Sequence, residues 1–223
     1  MIRIENLSKN YRIGNSTVAA VDNVSLTVER GDFTAILGHS GSGKTTLLNL
    51  IGGLTRPDAG AVVINDANIW QISDNDLSRL RNEKMNFIFQ FSSLIPTLTT
   101  LENVLLPATF GEKKDAGLKE RALNLLDIVG MSDKTASFPA QLSGGQQRRV
   151  AIARAFVNEP EIIFADEPTG DLDEETEQEV VNLFKKINAE RETTFLIVTH
   201  SSDLAAQTRK QYTMKNGVLM QRN

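Results

Sequence analysis

Gly38-His39-Ser40-Gly41-Ser42-Gly43-Lys44-Thr45 sets glycines, a cation and a hydroxyl at the spacing of a phosphate-binding loop: Gly, four residues, then Gly-Lys-Ser/Thr. Glycine lets the backbone close around an anion with no side chain between them. Lys44 would bring positive charge to the terminal phosphates of a nucleoside triphosphate, and the Thr45 hydroxyl could ligate Mg2+, with Thr46 alongside. The bland alternative is a glycine-rich strand-to-helix turn with an incidental lysine. Context argues against it. Phe33–Leu37 reads as a buried strand and Lys44–Leu54 as an apolar helix, so the loop falls where unpaired N–H groups and the helix dipole attract phosphate oxygens.

Two later strand ends deliver polar chemistry. Ile162-Ile163-Phe164-Ala165-Asp166 is an apolar run ending in a carboxylate, which suits Asp166 to the second side of a magnesium shell. Glu167, the next residue, could polarise an attacking water as a general base. Phe195-Leu196-Ile197-Val198-Thr199-His200 repeats the arrangement, and His200 could hydrogen-bond the terminal phosphate and orient that water. Strand-end acids are also common as plain caps, and a lone histidine is often merely solvated. The functional reading depends on all of these groups meeting at one edge of a sheet, where open α/β sheets collect their ligands.

The elements that would position them follow from patterning. The first third reads as strands at Ile2–Leu7, Val24–Val28, Phe33–Leu37 and Val62–Ile64, with Gly31-Asp32 as a turn. From about Phe91 to Val157 the pattern turns helical, and Ala122, Leu125, Leu126 and Val129 share one stripe. Ile162–Ala165 and Thr194–Val198 then read as buried strands around a helix whose Val180, Phe184 and Ile187 share a face. Asn216-Gly217 between Tyr212–Met214 and Val218–Met220 predicts a hairpin. Alternating strands and helices imply an α/β fold with a mainly parallel sheet covered on both sides.

Bulk composition narrows the classes. The 223 residues are 40% hydrophobic and 23% charged, ordinary for a folded domain, and the net charge of −4 gives no global field for gripping nucleic acid. With no cysteine, disulfides, thiolate metal sites and cysteine nucleophiles are excluded. Apolar runs are far shorter than the roughly 20 residues that cross a bilayer, and the N-terminus lacks a signal-peptide core, so a cytosolic chain is expected.

Leu142-Ser143-Gly144-Gly145-Gln146-Gln147-Arg148, between the phosphate loop and the acidic strand, resembles the signature of the ABC ATPases. Read plainly it is a helix start, since Ser143 and Gln146 match a capping box ahead of the helical Val150–Phe156. A capped tip with two glycines also exposes N–H groups to an anion, so both readings hold together. The resemblance extends along nearly the whole chain. It places Tyr11 as an aromatic that stacks on adenine, Gln90 after Phe87-Ile88-Phe89 as a sensor glutamine that joins catalysis and the metal shell, and Gly170-Asp171-Leu172-Asp173 as a subunit-contacting loop. Alone, Tyr11 would read as an ordinary aromatic, Gln90 as a polar strand end, and Asp171, Asp173, Glu174 and Glu175 as acids favouring a helix start. Within the signature, Gly-Gln-Gln-Arg-Arg departs from the many relatives that carry glutamate or another residue late in the motif.

The resemblance implies a P-loop NTPase core of the RecA-like kind with an N-terminal antiparallel β subdomain, and a signature-bearing helical subdomain at about residues 91–157 of a single 223-residue ATPase domain. It implies hydrolysis of ATP with Mg2+, and a homodimer in the ATP-bound state. Each nucleotide would lie between the loop of one chain and Ser143, Gly144, Gly145, Gln146 and Asp173 of the other. Glu167-Pro168-Thr169-Gly170-Asp171-Leu172-Asp173 and the stretch Leu94–Val104 look like the lipoprotein-releasing LolD and macrolide-exporting MacB group. That suggests an integral permease partner (MacB-, LolC-, LolE- or FtsX-like) at the inner face of the cell membrane, and export or release of a lipoprotein, peptide, drug or similar amphipathic cargo. The alternative is a non-transport membrane complex regulating the cell wall or division. A chromosome-type relative would need a long coiled coil between Lys44 and Ser143, and a GTPase would need an Asn-Lys-x-Asp segment; neither is present.

Overall fold

A computed structural model of the chain describes residues 1–111, 115–170 and 172–222. Among the described residues, ten strands form two sheets. The first is antiparallel in the order β2-β1-β4-β5, from β1 (Ile2–Ile13), β2 (Ser16–Val28), β4 (Ala59–Ile64) and β5 (Ala67–Asn68). The second has the order β10-β9-β3-β8-β7-β6, with β3 (Phe33–Leu37), β6 (Met85–Ile88), β7 (Ile162–Asp166), β8 (Thr194–Thr199), β9 (Lys210–Lys215) and β10 (Val218–Gln221). Its strands run parallel from β9 to β6, and β10 returns antiparallel on the edge.

Side-chain alternation along the central strands divides the interior in two. Ile36, Ile162, Phe164, Leu196 and Val198 point toward the antiparallel sheet and helix α1 (Lys44–Ile51). Ile163, Ala165, Phe195 and Ile197 point the other way, toward helices α5 (Gly144–Phe156) and α6 (Glu174–Arg191). Strands buried on both faces need no polar alternation, which is why β7 and β8 are unbroken apolar runs. Within positions 91–157 lie α3 (Thr100–Leu105), α4 (Leu118–Ile128) and α5; the stripe Ala122, Leu125, Leu126 and Val129 is buried as its spacing requires.

Two elements exceed the sequence reading. The β1–β2 hairpin runs well past Leu7 and starts well before Val24, because its far half leaves the core with Tyr11, Ile13 and Val18 exposed and no burial alternation to mark it. Helix α2 (Asp74–Lys84) buries only Leu77, so it has no apolar stripe; its local signal is the Ser73 cap, whose hydroxyl accepts from the Asp76 N–H.

The C-terminal hairpin turns at Asn216 and Gly217, both at positive φ (48° and 81°), the conformation of a tight two-residue turn. The turn also braces the phosphate loop. The Gly217 N–H donates to the Ser42 carbonyl at 3.0 Å, while the Asp22 N–H on β2 donates to the Gly217 carbonyl at 2.9 Å.

Candidate active site

The C-terminal ends of β3, β7 and β8 open on a cavity of about 700 Å³, lined by residues 39–46 together with Val18, Gln90, Asp166, Glu167, Gly170 and His200. The loop is held tightly from behind. A Cβ on Gly43 (φ +102°) would sit 1.9 Å from the Ala20 carbonyl oxygen, and one on Gly38 would sit 2.6 Å from that of Met214. Lys44 is buried, its Nζ donating to the carbonyls of Gly38 (2.7 Å) and His39 (3.2 Å), so the cation is already folded into the loop. The Ser42 hydroxyl is buried beside it with no hydrogen-bond partner. A cradle of backbone N–H groups at a helix start, with an enclosed lysine, fits a polyphosphate.

Asp166 ends β7 and is 6% exposed. Burial pushes its carboxyl above the usual 3.8, and the negative charge of Glu167 adds to this; the Thr45 hydroxyl, Lys44 and Arg148 pull it partly back. Thr45 and Asp166 thus stand together as two oxygen donors that would suit Mg2+. Among the described residues, no group of three or more His, Cys, Asp or Glu side chains forms a metal site on its own.

The raised carboxyl has a consequence for stability. A folded pKa above the ordinary one favours the fold below about pH 3.8, and this contribution is lost as pH rises through the raised value. Asp166→Asn should therefore raise the Tm of the nucleotide-free chain at pH 7 by about 2–4 °C, the response of a domain this size to about 1 kcal/mol. Solvent screening at the open face of the cavity keeps the gain modest. Calorimetry should show the gain fading toward about pH 3, while Mg2+-dependent hydrolysis is lost.

Glu167 follows at φ 47°, a left-handed conformation that is costly for a residue with a side chain and is held here by its surroundings. Its N–H donates to the Val198 carbonyl at 2.9 Å. Its carboxylate accepts from the Thr199 hydroxyl (2.9 Å) and faces the His200 Nδ1 (3.0 Å), so a single rotamer is fixed toward the cavity. The Glu167 side chain is 13% exposed whereas that of His200 is 72% exposed. A nearly enclosed carboxylate with its two oxygens oriented can accept a proton from a water placed against a phosphate.

The cavity gathers His39, Ser40, Gly41, Ser42, Gly43, Lys44, Thr45, Thr46, Gln90, Asp166, Glu167 and His200 from the sequence reading, and Gly38 closes the loop from behind. Other candidates lie apart from it. Tyr11 is 40% exposed on the far half of the hairpin, paired across the strands with Val18, which does line the cavity. Ser143 and Gly144 are exposed at the tip of α5, and Ser143, Gly144, Gly145 and Gln146 do not line this chain's own cavity. The tip is a complete capping box, with the Gln146 N–H donating to the Ser143 hydroxyl (3.3 Å) and the Ser143 N–H to the Gln146 side chain (2.9 Å). Asp173 caps α6 and accepts from the Thr176 N–H at 2.9 Å. Asp171 lies outside the described residues.

Sequence reasoning missed Val18, Thr199 and Arg148. Thr199 could have been found as the last residue of the β8 run, one before His200. Arg148 is 4% exposed on α5 and donates to backbone carbonyls, which leave no trace in sequence spacing.

Residues 21–170 match the sequence profile of the family described as ABC transporter. The chain is 43% identical over 219 residues to the lipoprotein-releasing system ATP-binding protein LolD of Saccharophagus degradans, covering 98% of this chain and 96% of that one. It is 40% identical over 220 residues to the ABC transporter ATP-binding protein YvrO of Bacillus subtilis, at 99% and 96% coverage. Its fold superposes with a TM-score of 0.93, at 39% identity and full coverage of both chains, on a dimeric post-hydrolysis state of the ATP-binding cassette MJ0796 bound to ADP and Pi.

Proposed function

The chain belongs to the ABC transporter family, and on that premise we propose that it powers a membrane permease as one half of an ATP-closed dimer, in a complex of the lipoprotein-releasing kind. It is an ATPase that uses ATP with Mg2+. The observation that carries the dimer reading is the position of the α5 tip: an exposed, glycine-bearing helix start that takes no part in its own chain's cavity. A second copy placed head-to-tail would bring that tip, with its N–H groups and dipole, onto the phosphates held by the first.

In this reading Lys44 and the loop N–H groups hold the phosphates, and Thr45 with Asp166 holds the metal. When held there, Mg2+ would supply positive charge against the negative charge that develops during transfer. Glu167, fixed by Thr199 and His200, takes the proton of the attacking water. Catalysis is largely positioning, completed only when the second chain arrives, so chemistry is tied to closure.

No helix among the described residues is long and apolar enough to cross a membrane; the membrane partner in this reading is a permease at the inner face of the cell membrane. Its seat is a groove of about 730 Å³ between α2, β6 and the turn after α3, floored by Phe87 and Phe89 and edged by Phe110, which is 75% exposed. The groove adjoins Gln90, so a partner lodged there would feel the nucleotide site. A LolD-like role supports release or export of a lipoprotein or similar amphipathic cargo. Phe110→Glu should leave the ATPase rate of the isolated chain within about twofold and cut co-purification of the permease, identified by mass, by about 10-fold or more, as for loss of a buried aromatic anchor. Capture of the same integral membrane protein by both forms, or of none by the parent chain, would overturn the assignment.

A further inference from the structure

Arg148 lies in the second turn of α5 and is 4% exposed. Its Nη1 donates to the Phe89 carbonyl, and its Nη2 donates to the Glu167 carbonyl at 2.7 Å. Those acceptors belong to two different loops: Phe89 precedes Gln90, and Glu167 follows Asp166. The strands feeding the loops are neighbours, with Ile88 opposite Ala165, so one planar guanidinium spans both. The Glu167 carbonyl also accepts from the Gly170 N–H at 3.1 Å, which closes a small loop around a residue already at φ 47°.

We propose that Arg148 is a positioning residue for hydrolysis: it pins the backbone of Glu167 to that of Phe89 and so fixes the candidate base relative to Gln90. It also ties both loops to the helix that begins at Ser143, so displacement of that helix moves the base and the glutamine together. The charge is buried and its geometry is bidentate, which a lysine ammonium cannot reproduce. The inference rests on the reading of Glu167 as the base.

Steady-state ATP hydrolysis by the full chain tests it, with wild type, Glu167→Gln, Arg148→Lys and Arg148→Met compared at a temperature well below each melting point. Misplacing a catalytic group by about 1 Å costs on the order of 100-fold. Arg148→Met should lower kcat by that order with KM for ATP within about 3-fold, and Arg148→Lys should recover part of the loss by holding one carbonyl. Should the Met variant fail to fold, the Lys variant decides, with a kcat at least about 3-fold below wild type expected. Wild-type kcat in either folded variant overturns the proposal, as does a loss that tracks the folded fraction with Lys no better than Met. If Glu167→Gln itself hydrolyses at the wild-type rate, the reading of the base has failed instead.

Discussion

Glu167→Gln is expected to slow ATP hydrolysis by about 10³-fold while leaving ATP affinity within about twofold. The amide keeps the size of the side chain and can still meet the Thr199 hydroxyl, but it cannot take a proton from water. The contacts that hold the backbone in place, to Val198 and from Gly170 and Arg148, do not involve the carboxylate and should survive. In the proposed mechanism nucleotide binding would use Lys44, whose Nζ is held by the Gly38 carbonyl, and the loop N–H groups, none of which the substitution touches. Single-turnover hydrolysis and equilibrium nucleotide binding, measured on one preparation, check both halves; an unchanged rate removes Glu167 from the role of base.

Gly144→Asp should be nearly as damaging, for a reason that lies outside the chain. A Cβ added at Gly144 meets nothing within 4 Å, and the residue is exposed, so the fold and monomeric ATP binding should persist. In isolation the change is even mildly favourable, because a carboxylate in the first turn of a helix suits its dipole. In a head-to-tail dimer the same carboxylate would face the terminal phosphate bound by the other chain. Like-charge repulsion against that phosphate then predicts hydrolysis reduced by about 100-fold or more, with Tm unchanged or slightly raised. Hydrolysis near the wild-type rate would mean that the tip of α5 meets no phosphate.

What could be read in advance depended on whether a residue's partners leave a periodic or local trace. The β3 strand, phosphate loop and α1 were legible because a buried run, fixed glycine spacing and a helical stripe coincide within nineteen positions, 33–51. β7 and β8 were legible because strands buried on both faces are unbroken apolar runs. Helix α2 was not, because one buried residue makes no stripe. The outer half of the β1–β2 hairpin was not, because exposed Tyr11, Ile13 and Val18 carry no alternation. At the site, Asp166, Glu167 and His200 declared themselves at strand ends, whereas Arg148 reaches carbonyls 59 and 19 positions away. Backbone acceptors have no residue type, so no motif could have announced that contact.

The shared site itself is tested most directly by the solution mass and nucleotide content of Glu167→Gln in Mg2+ and ATP, measured by sedimentation with and without Gly144→Asp. A particle of two chains carrying two ATP molecules is expected, reverting to single chains when Gly144→Asp is added or ADP replaces ATP. Single chains that each hold ATP, or a two-chain particle indifferent to Gly144→Asp, would contradict it.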